Sequence, residues 1–384
     1  MQQRIPAVIM RGGTSKALFL QDYHLPVDPA IRVRVILAAF GSPDPNRRQI
    51  DGIGGAVSTT SKVAIISPSE DPRYDVVYNF GQVAIDRPVV DFKGNCGNIS
   101  SAVGPFAVDE GLVKAIEPVT RVRIHQKNTD KLIVAEVPVK NGRFEETGDY
   151  AIDGVPGTGG RIALRFSDPG GSVTGSLFPT GNRRDVYEVP GTGPVEATFI
   201  DAANPVILVR AESIGLEGTE IDSIDADPVV KAVLESIRCQ AAVRVGIAKS
   251  EAEATRFSQA VPKIGVVTIP KDYTTAGGKE LRSSEIDLTA RIMSMGTLHR
   301  SFAVSGAVST AGAAMIPGTV VHDVLNSDAR EKELLRIGHP GGVMDVGAVI
   351  DASGDTVRYR EAVLGRTARR LMEGYVMVPE RYFA

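Results

Sequence analysis

Apolar positions come in short runs broken by turn residues, and few of them recur at helical spacing. Residues 4–10 and 17–21 are apolar stretches on either side of Arg11-Gly12-Gly13-Thr14-Ser15, the pattern of two strands joined by a tight turn. Similar short runs lie at 62–66, 76–78, 82–85, 120–125, 131–137 and 161–166, then at 197–200, 206–210, 263–269 and 343–350. Helical periodicity is confined to 29–39, 99–109, 228–241 and 284–295. The order strands, helix, strands therefore occurs twice.

Two local matches strengthen that repetition. Cys96-Gly97-Asn98-Ile99-Ser100-Ser101-Ala102 aligns with Ser305-Gly306-Ala307-Val308-Ser309-Thr310-Ala311 at a shift of 209, pairing Gly97 with Gly306, Ser100 with Ser309 and Ala102 with Ala311. Ala17-Leu18-Phe19-Leu20 aligns with Val206-Ile207-Leu208-Val209 at a shift of 189, which sets Ser15 opposite Asn204. The matches occur in the same order and predict a duplicated half. The expected class is α+β, with two pseudo-symmetric lobes, each a curled, mostly antiparallel sheet around a central helix. A chain of 384 residues exceeds one ordinary core. Gly, Pro and Arg are dense at 181–194, so the division is expected there, giving an N-terminal lobe 1–185 and a C-terminal lobe 186–384.

Composition narrows the function. A net charge of -3, no long basic run and no Trp argue against nucleic-acid binding. No apolar run approaches the ~18 residues of a membrane span, and the N-terminus shows no secretory pattern. Two cysteines, at 96 and 239, make no disulfide framework and fit a reducing, cytoplasmic setting. None of the five histidines pairs at metal-ligand spacing, so no metal is expected. The Gly-rich stretches at 11–14 and 52–55 lack both the Walker and the dinucleotide patterns.

The chemistry concentrates at the matched segments. In each, a small polar residue and Gly open a small, helix-compatible run, leaving a bare N-terminus whose N–H groups can receive an anion. Two such termini facing each other across a cleft would suit a substrate with several carboxylates. Cys96 stands at the first of them, where the helix dipole lowers a thiol's pKa. It reads as a proton-shuttling or positioning thiol, or as a small buried hydrophobe; Cys239, in an apolar helical run, reads as core. Lys62 follows a Gly- and Ser-rich loop at the mouth of a strand. It is either a desolvated amine able to act as a base or a solvated loop lysine. Gly338-His339-Pro340-Gly341-Gly342 is a tight turn whose amides face a ligand or merely turn the chain, and Asn204-Pro205 has the same two readings. Arg369 and Arg370 read as a solvated helix face.

Several motifs carry a family resemblance. Met10-Arg11-Gly12-Gly13-Thr14-Ser15-Lys16, Gly41-Ser42-Pro43-Asp44-Pro45, Gln49-Ile50-Asp51-Gly52, Thr60-Ser61-Lys62 and Gly94-Asn95-Cys96-Gly97-Asn98 resemble the PrpF family. So do Val103-Gly104-Pro105-Phe106-Ala107, Pro179-Thr180-Gly181-Asn182, Ile316-Pro317-Gly318 and Gly338-His339-Pro340, so the likeness runs along nearly the whole chain in order. The resemblance implies a diaminopimelate-epimerase-like fold and a cofactor-independent isomerase that acts on an unsaturated di- or tricarboxylic acid by allylic proton abstraction. Family activities include 2-methylaconitate cis-trans isomerase, methylitaconate Δ-isomerase, 4-oxalomesaconate tautomerase and aconitate Δ-isomerase. The family's catalytic lysine falls on Lys62 and its motif cysteine on Cys96. The more distant diaminopimelate epimerase uses one cysteine from each lobe; here Ser305 holds the second position, which favours a one-lysine, one-thiol scheme. Expected substrate contacts are Thr14, Ser15, Gly97, Asn98, Ser305, Gly306, Ala307, His339 and Gly341. No cofactor or metal is implied, and a homodimer is one expected assembly. The competing class is a carboxylate-binding protein without catalysis.

Overall fold

The apolar runs around Gly12-Gly13 form an antiparallel hairpin, β1 (Gln2–Gly12) and β2 (Ser15–Gln21), with Gly12 opposite Ser15 across the turn. The structure is a computed structural model and describes residues 1–332, 334–351 and 357–384. After β2 comes α1 (Pro29–Phe40). Asp28 caps it by accepting from the N–H groups of Ala30 and Ile31, and Pro29 occupies the first turn, where its missing N–H costs nothing. Strand β3 (Lys62–Pro68) pairs parallel with β2, and β4 (Val76–Val83) pairs antiparallel with β3. The helix α2 (Gly97–Asp109) precedes β5 (Val119–Gln126), which lies parallel to β4 and antiparallel to β6 (Lys131–Lys140). The last strand, Ala368–Pro379, returns to pair antiparallel with β1, from Gln2 opposite Pro379 to Gly12 opposite Ala368.

The second half repeats this wiring. Strand β7 (Gly193–Asp201) is antiparallel to β8 (Pro205–Arg210), and after α3 (Pro228–Arg244) comes β9 (Lys263–Thr268), parallel to β8. Strand β10 (Leu288–Ser294) is antiparallel to β9. After α4 (Val304–Met315) come β11 (Leu334–His339), parallel to β10, and β12 (Gly342–Asp351), antiparallel to β11. Both halves thus run antiparallel, parallel, antiparallel, parallel, antiparallel, with a helix in each parallel crossover. The matched segments fall on equivalent elements, β2 with β8 and α2 with α4.

Burial explains the layering. Leu18, Leu20, Val63 and Ile65 pack against Val35, Ile36 and Phe40 of α1. Ile207, Val209, Ile264 and Val266 pack against Val233, Leu234 and Ile237 of α3. Each such side chain, fully buried, contributes about 1.5–3 kcal/mol. Since Val63 and Ile65 face α1, strand alternation turns Lys62 and Ala64 toward the opposite face. The central helices α2 and α4 are buried along nearly all their length, and their Gly, Ala and Ser content suits that close packing.

Several expectations change. The chain divides into Met1–Leu164 with Gly365–Ala384, and Arg165–Leu364. The division does not fall at 185/186, because the final strand rejoins β1 while the Asp185–Val189 hairpin strand pairs with β7. Runs 76–78 and 82–85 belong to one strand through Val83. Gly81 marks close packing there instead of a turn, since a Cβ would lie 2.7 Å from Val63 Cγ1 and 2.8 Å from Val90 Cγ1. The predicted helix at 284–295 is a short turn followed by β10. Every residue of β10 is buried, and burial on both faces erases the alternation that distinguishes a strand from a helix. Arg369 and Arg370 lie on the final strand, where Arg370 pairs with Glu110 at 2.6 Å and Glu373 at 2.7 Å. Cys239 is core, as expected, although its thiol also meets Glu235 and Thr255 at 3.2 Å.

Candidate active site

Lys62 opens β3 and is 6% exposed. Its Nζ donates to Gln82 Oε1 at 2.5 Å, from the residue directly opposite on β4, and sits 5.3 Å from the centre of the Phe80 ring. Burial pushes the lysine pKa down, and the nearby Cys96 partly offsets this. The preceding loop is stitched in place by Gln49, whose Oε1 accepts from Ala56 N–H at 2.8 Å and Ser61 Oγ at 2.7 Å while its Nε2 donates to Ser42 Oγ at 2.9 Å. The solvated-loop reading of Lys62 therefore does not describe it.

Cys96 is the N-cap of α2, in extended conformation, and its carbonyl accepts from Ser100 N–H at 2.9 Å. Among the described residues no side chain caps this helix, and its first turn carries no acidic residue. The N–H groups of Gly97, Asn98 and Ile99 thus form the positive end of the helix. Tyr78 of β4 is buried near Cys96 and Ser100. Burial holds its phenol pKa well above the ordinary value, the Cys96 charge adds to this, and Ser100 opposes it.

The β1–β2 turn packs on this same helix start. A Cβ on Gly12 would lie 2.5 Å from Asn98 O, and one on Gly13, whose φ is +50°, would lie 2.2 Å from Asn98 Oδ1. That oxygen accepts from Thr14 N–H at 3.3 Å. Thr14 Oγ1 and Ser15 Oγ are buried without a hydrogen-bond partner among the described residues, and buried hydroxyls are normally completed by water or a ligand. Arg366, 4% exposed, brings its side chain to Gly13. Gly12→Ala is expected to destabilise the protein by ~1–3 kcal/mol, the usual cost of overpacking, and to lower turnover with it. Thermal melting beside a rate assay checks this, and an unchanged melting temperature would count against the packing argument.

In Arg165–Leu364 the helix start differs from expectation. Ala307 N–H already donates to Ala303 O at 2.8 Å, so the first-turn donors are Val304, Ser305 and Gly306. Gly341 N–H donates to His339 Nδ1 at 3.1 Å and is likewise engaged. His339 is buried, its ring lies 6.2 Å from that of Phe302 just ahead of α4, and its carbonyl accepts from Tyr273 Oη at 2.7 Å. Asn204 Oδ1 and Ser301 Oγ are buried without a hydrogen-bond partner among the described residues. Asn204 is the repeat counterpart of Ser15.

The first unit therefore holds Thr14, Ser15, Lys62, Cys96, Gly97 and Asn98, and the second holds Ser305, Gly306, Ala307, His339 and Gly341. The sequence reading missed Gln82, Tyr78 and Arg366. The signal for the first two existed: residues 78, 80 and 82 alternate onto one face once 76–83 is read as a single strand. No comparable signal marked Arg366.

The fold and the relatives define the class as an isomerase. The chain is 48% identical to a 3-methylitaconate isomerase of Eubacterium barkeri over 379 residues, covering 98% of each protein. It is 44% identical to a 2-methyl-aconitate isomerase of Cupriavidus necator, again covering 98% of each. A crystal structure of a methylitaconate Δ-isomerase superposes with a TM-score of 0.80 at 47% identity, covering 100% of this chain and 97% of the other. The PrpF family, described as PrpF protein, matches residues 2–379. The chain belongs to the PrpF family.

Proposed function

We propose that the protein isomerises an unsaturated di- or tricarboxylic acid of the 2-methylaconitate or aconitate type, by a cis-trans change or a double-bond shift. The close alternatives within the class are methylitaconate Δ-isomerisation and 4-oxalomesaconate tautomerisation. The observation that carries the reading is a buried lysine of lowered pKa beside a thiol at a bare helix start.

The chemistry follows from these groups. Neutral Lys62 takes a proton from the allylic carbon. The electron pair left behind spreads through the double bond into a carboxylate, giving a dienolate. First-turn N–H groups at Gly97 and Asn98 stabilise that charge, and preorganised donors of this kind contribute about 3–4 kcal/mol each. The original double bond loses order, so the carbon skeleton rotates or the double bond moves. For a double-bond shift the Cys96 thiol delivers a proton to the far carbon, and transfer from the Lys62 ammonium to the thiolate restores both groups; for a cis-trans change the proton returns, after rotation, to the carbon it left. No redox step is involved, so acid–base groups alone balance the cycle. Thr14, Ser15 and Arg366 offer donors for a second carboxylate. Ser305, Gly306 and His339 are proposed as further substrate-binding groups.

Proton NMR in D₂O tests this. Trans-aconitate and its methylated analogue are expected to lose the allylic proton signal and yield an isomer. Binding without exchange in either substrate would instead favour the carboxylate-binding class. Two free cysteines support a cytoplasmic setting, which cell fractionation checks. Leu371, Met372, Tyr375 and Met377 are exposed along the final strand and support a homodimer. A monomeric mass by light scattering would reject it.

A further inference from the structure

We infer that Gln82 is a positioning residue for this reaction: its amide oxygen directs Lys62, and its lack of charge keeps that amine usable as a base. The inference rests on the proposed role of Lys62. Gln82 is 4% exposed and faces Lys62 across the β3–β4 pair. Its amide cannot turn, because Nε2 donates to Ser58 O at 3.1 Å and Ser61 O at 3.0 Å, carbonyls of the loop that delivers Lys62. With Nε2 committed to two acceptors, Oε1 has to face Nζ, which it meets at 2.5 Å. A neutral amine has two N–H donors and one lone pair. Tying one N–H to Gln82 aims the lone pair away from the strand and toward the substrate.

The choice of an amide also matters electrically. A carboxylate at this distance would stabilise the ammonium form strongly in a site that excludes water. On this face the buried carboxylate of Asp91 stands opposite Gln82 on the strand Val90–Asp91, one strand further from Lys62. Cys96 at the start of α2 is its electrostatic partner, and Tyr78 on β4 titrates far above neutrality. β2 turns Ser15, Ala17 and Phe19 to this face, and residues 53–61 hold no ionisable side chain. The residue at position 82 therefore bears directly on how readily the amine gives up its proton.

Two variants separate charge from packing. Gln82→Glu and Gln82→Met both lose the bonds to Ser58 and Ser61, so the difference between them isolates the carboxylate. In Gln82→Glu the pH above which kcat/KM reaches its plateau is expected to rise by one unit or more. Activity at neutral pH then falls at least tenfold and returns at alkaline pH. In Gln82→Met the same limb is expected to stay put or move acidward, while kcat falls at least tenfold and KM changes less than about twofold. A Glu variant that melts normally with an unmoved limb overturns the inference, and so does a Met variant with wild-type kcat. If the Glu variant fails to fold, the Met variant decides alone. Failure of the underlying reading looks different: Lys62→Ala would then retain allylic exchange whatever stands at position 82.

Discussion

Lys62→Ala is expected to abolish solvent exchange at the allylic carbon, with turnover falling by about 10²–10⁴, the usual contribution of a general base. The side chain is otherwise an awkward one to bury. Its pKa is pushed below the ordinary lysine value of 10.5, chiefly by loss of hydration. Between the native value and 10.5 the unfolded chain binds a proton that the native state does not, so stability rises with pH across that window. Below it the buried group costs stability. Lys62→Met, which fills the space without a charge, is therefore expected to hold or raise the melting temperature at neutral pH and to flatten that pH dependence, while remaining inactive. In the wild type, activity is expected to climb with pH along a limb set below 10.5, as the amine loses its proton. Full exchange in either variant would remove Lys62 from the mechanism, and an unchanged pH dependence of melting in Lys62→Met would refute the buried-charge argument.

This division between stability and chemistry also explains what could be read from the sequence. The duplicated wiring was visible because β2 and β8, and α2 and α4, kept small or apolar residues whose packing demands are the same in both halves. The register carries it further. Leu18 lies opposite Val63 and Ile207 opposite Ile264, so the residue before each, Lys62 and Lys263, occupies equivalent strand starts. Function broke the symmetry at that point: Lys62 is buried against Gln82, whereas Lys263 is only half-buried. Legibility failed where both faces of an element are covered, as in β10, since nothing polar remains to reveal the period. It failed again where a long-range partner decides the outcome. The final strand joins β1 from the far end of the chain, and no local pattern announces that. Arg366 is hidden for the same reason, because its significance lies in reaching Gly13. A sequence shows a turn or a helix start, but not that the N–H groups of Ala307 and Gly341 already have acceptors.

Cys96→Ser is expected to slow turnover by 10²–10⁴ with KM nearly unchanged, and it separates the two halves of the proton relay. A serine hydroxyl matches the thiol closely in shape and keeps the helix start, yet it is a far poorer acid. Since Lys62 still removes the proton, deuterium should continue to enter the abstraction site even as product formation falls. The ratio of exchange to product should therefore rise well above the wild-type value. A thiol that only packs or binds substrate predicts the opposite division, with a loss of about tenfold or less, expressed mainly in KM, and exchange and product falling together. Cys96→Ala provides the control for shape. If it matches the serine variant in kcat, what was lost is the acid. If it alone loses substrate affinity, the hydrogen-bonding group at the helix start is what the substrate feels. A serine variant with wild-type kcat would show that the far carbon is protonated by another group, and with Tyr78 held far above neutrality by burial, water or the Lys62 ammonium would have to do it.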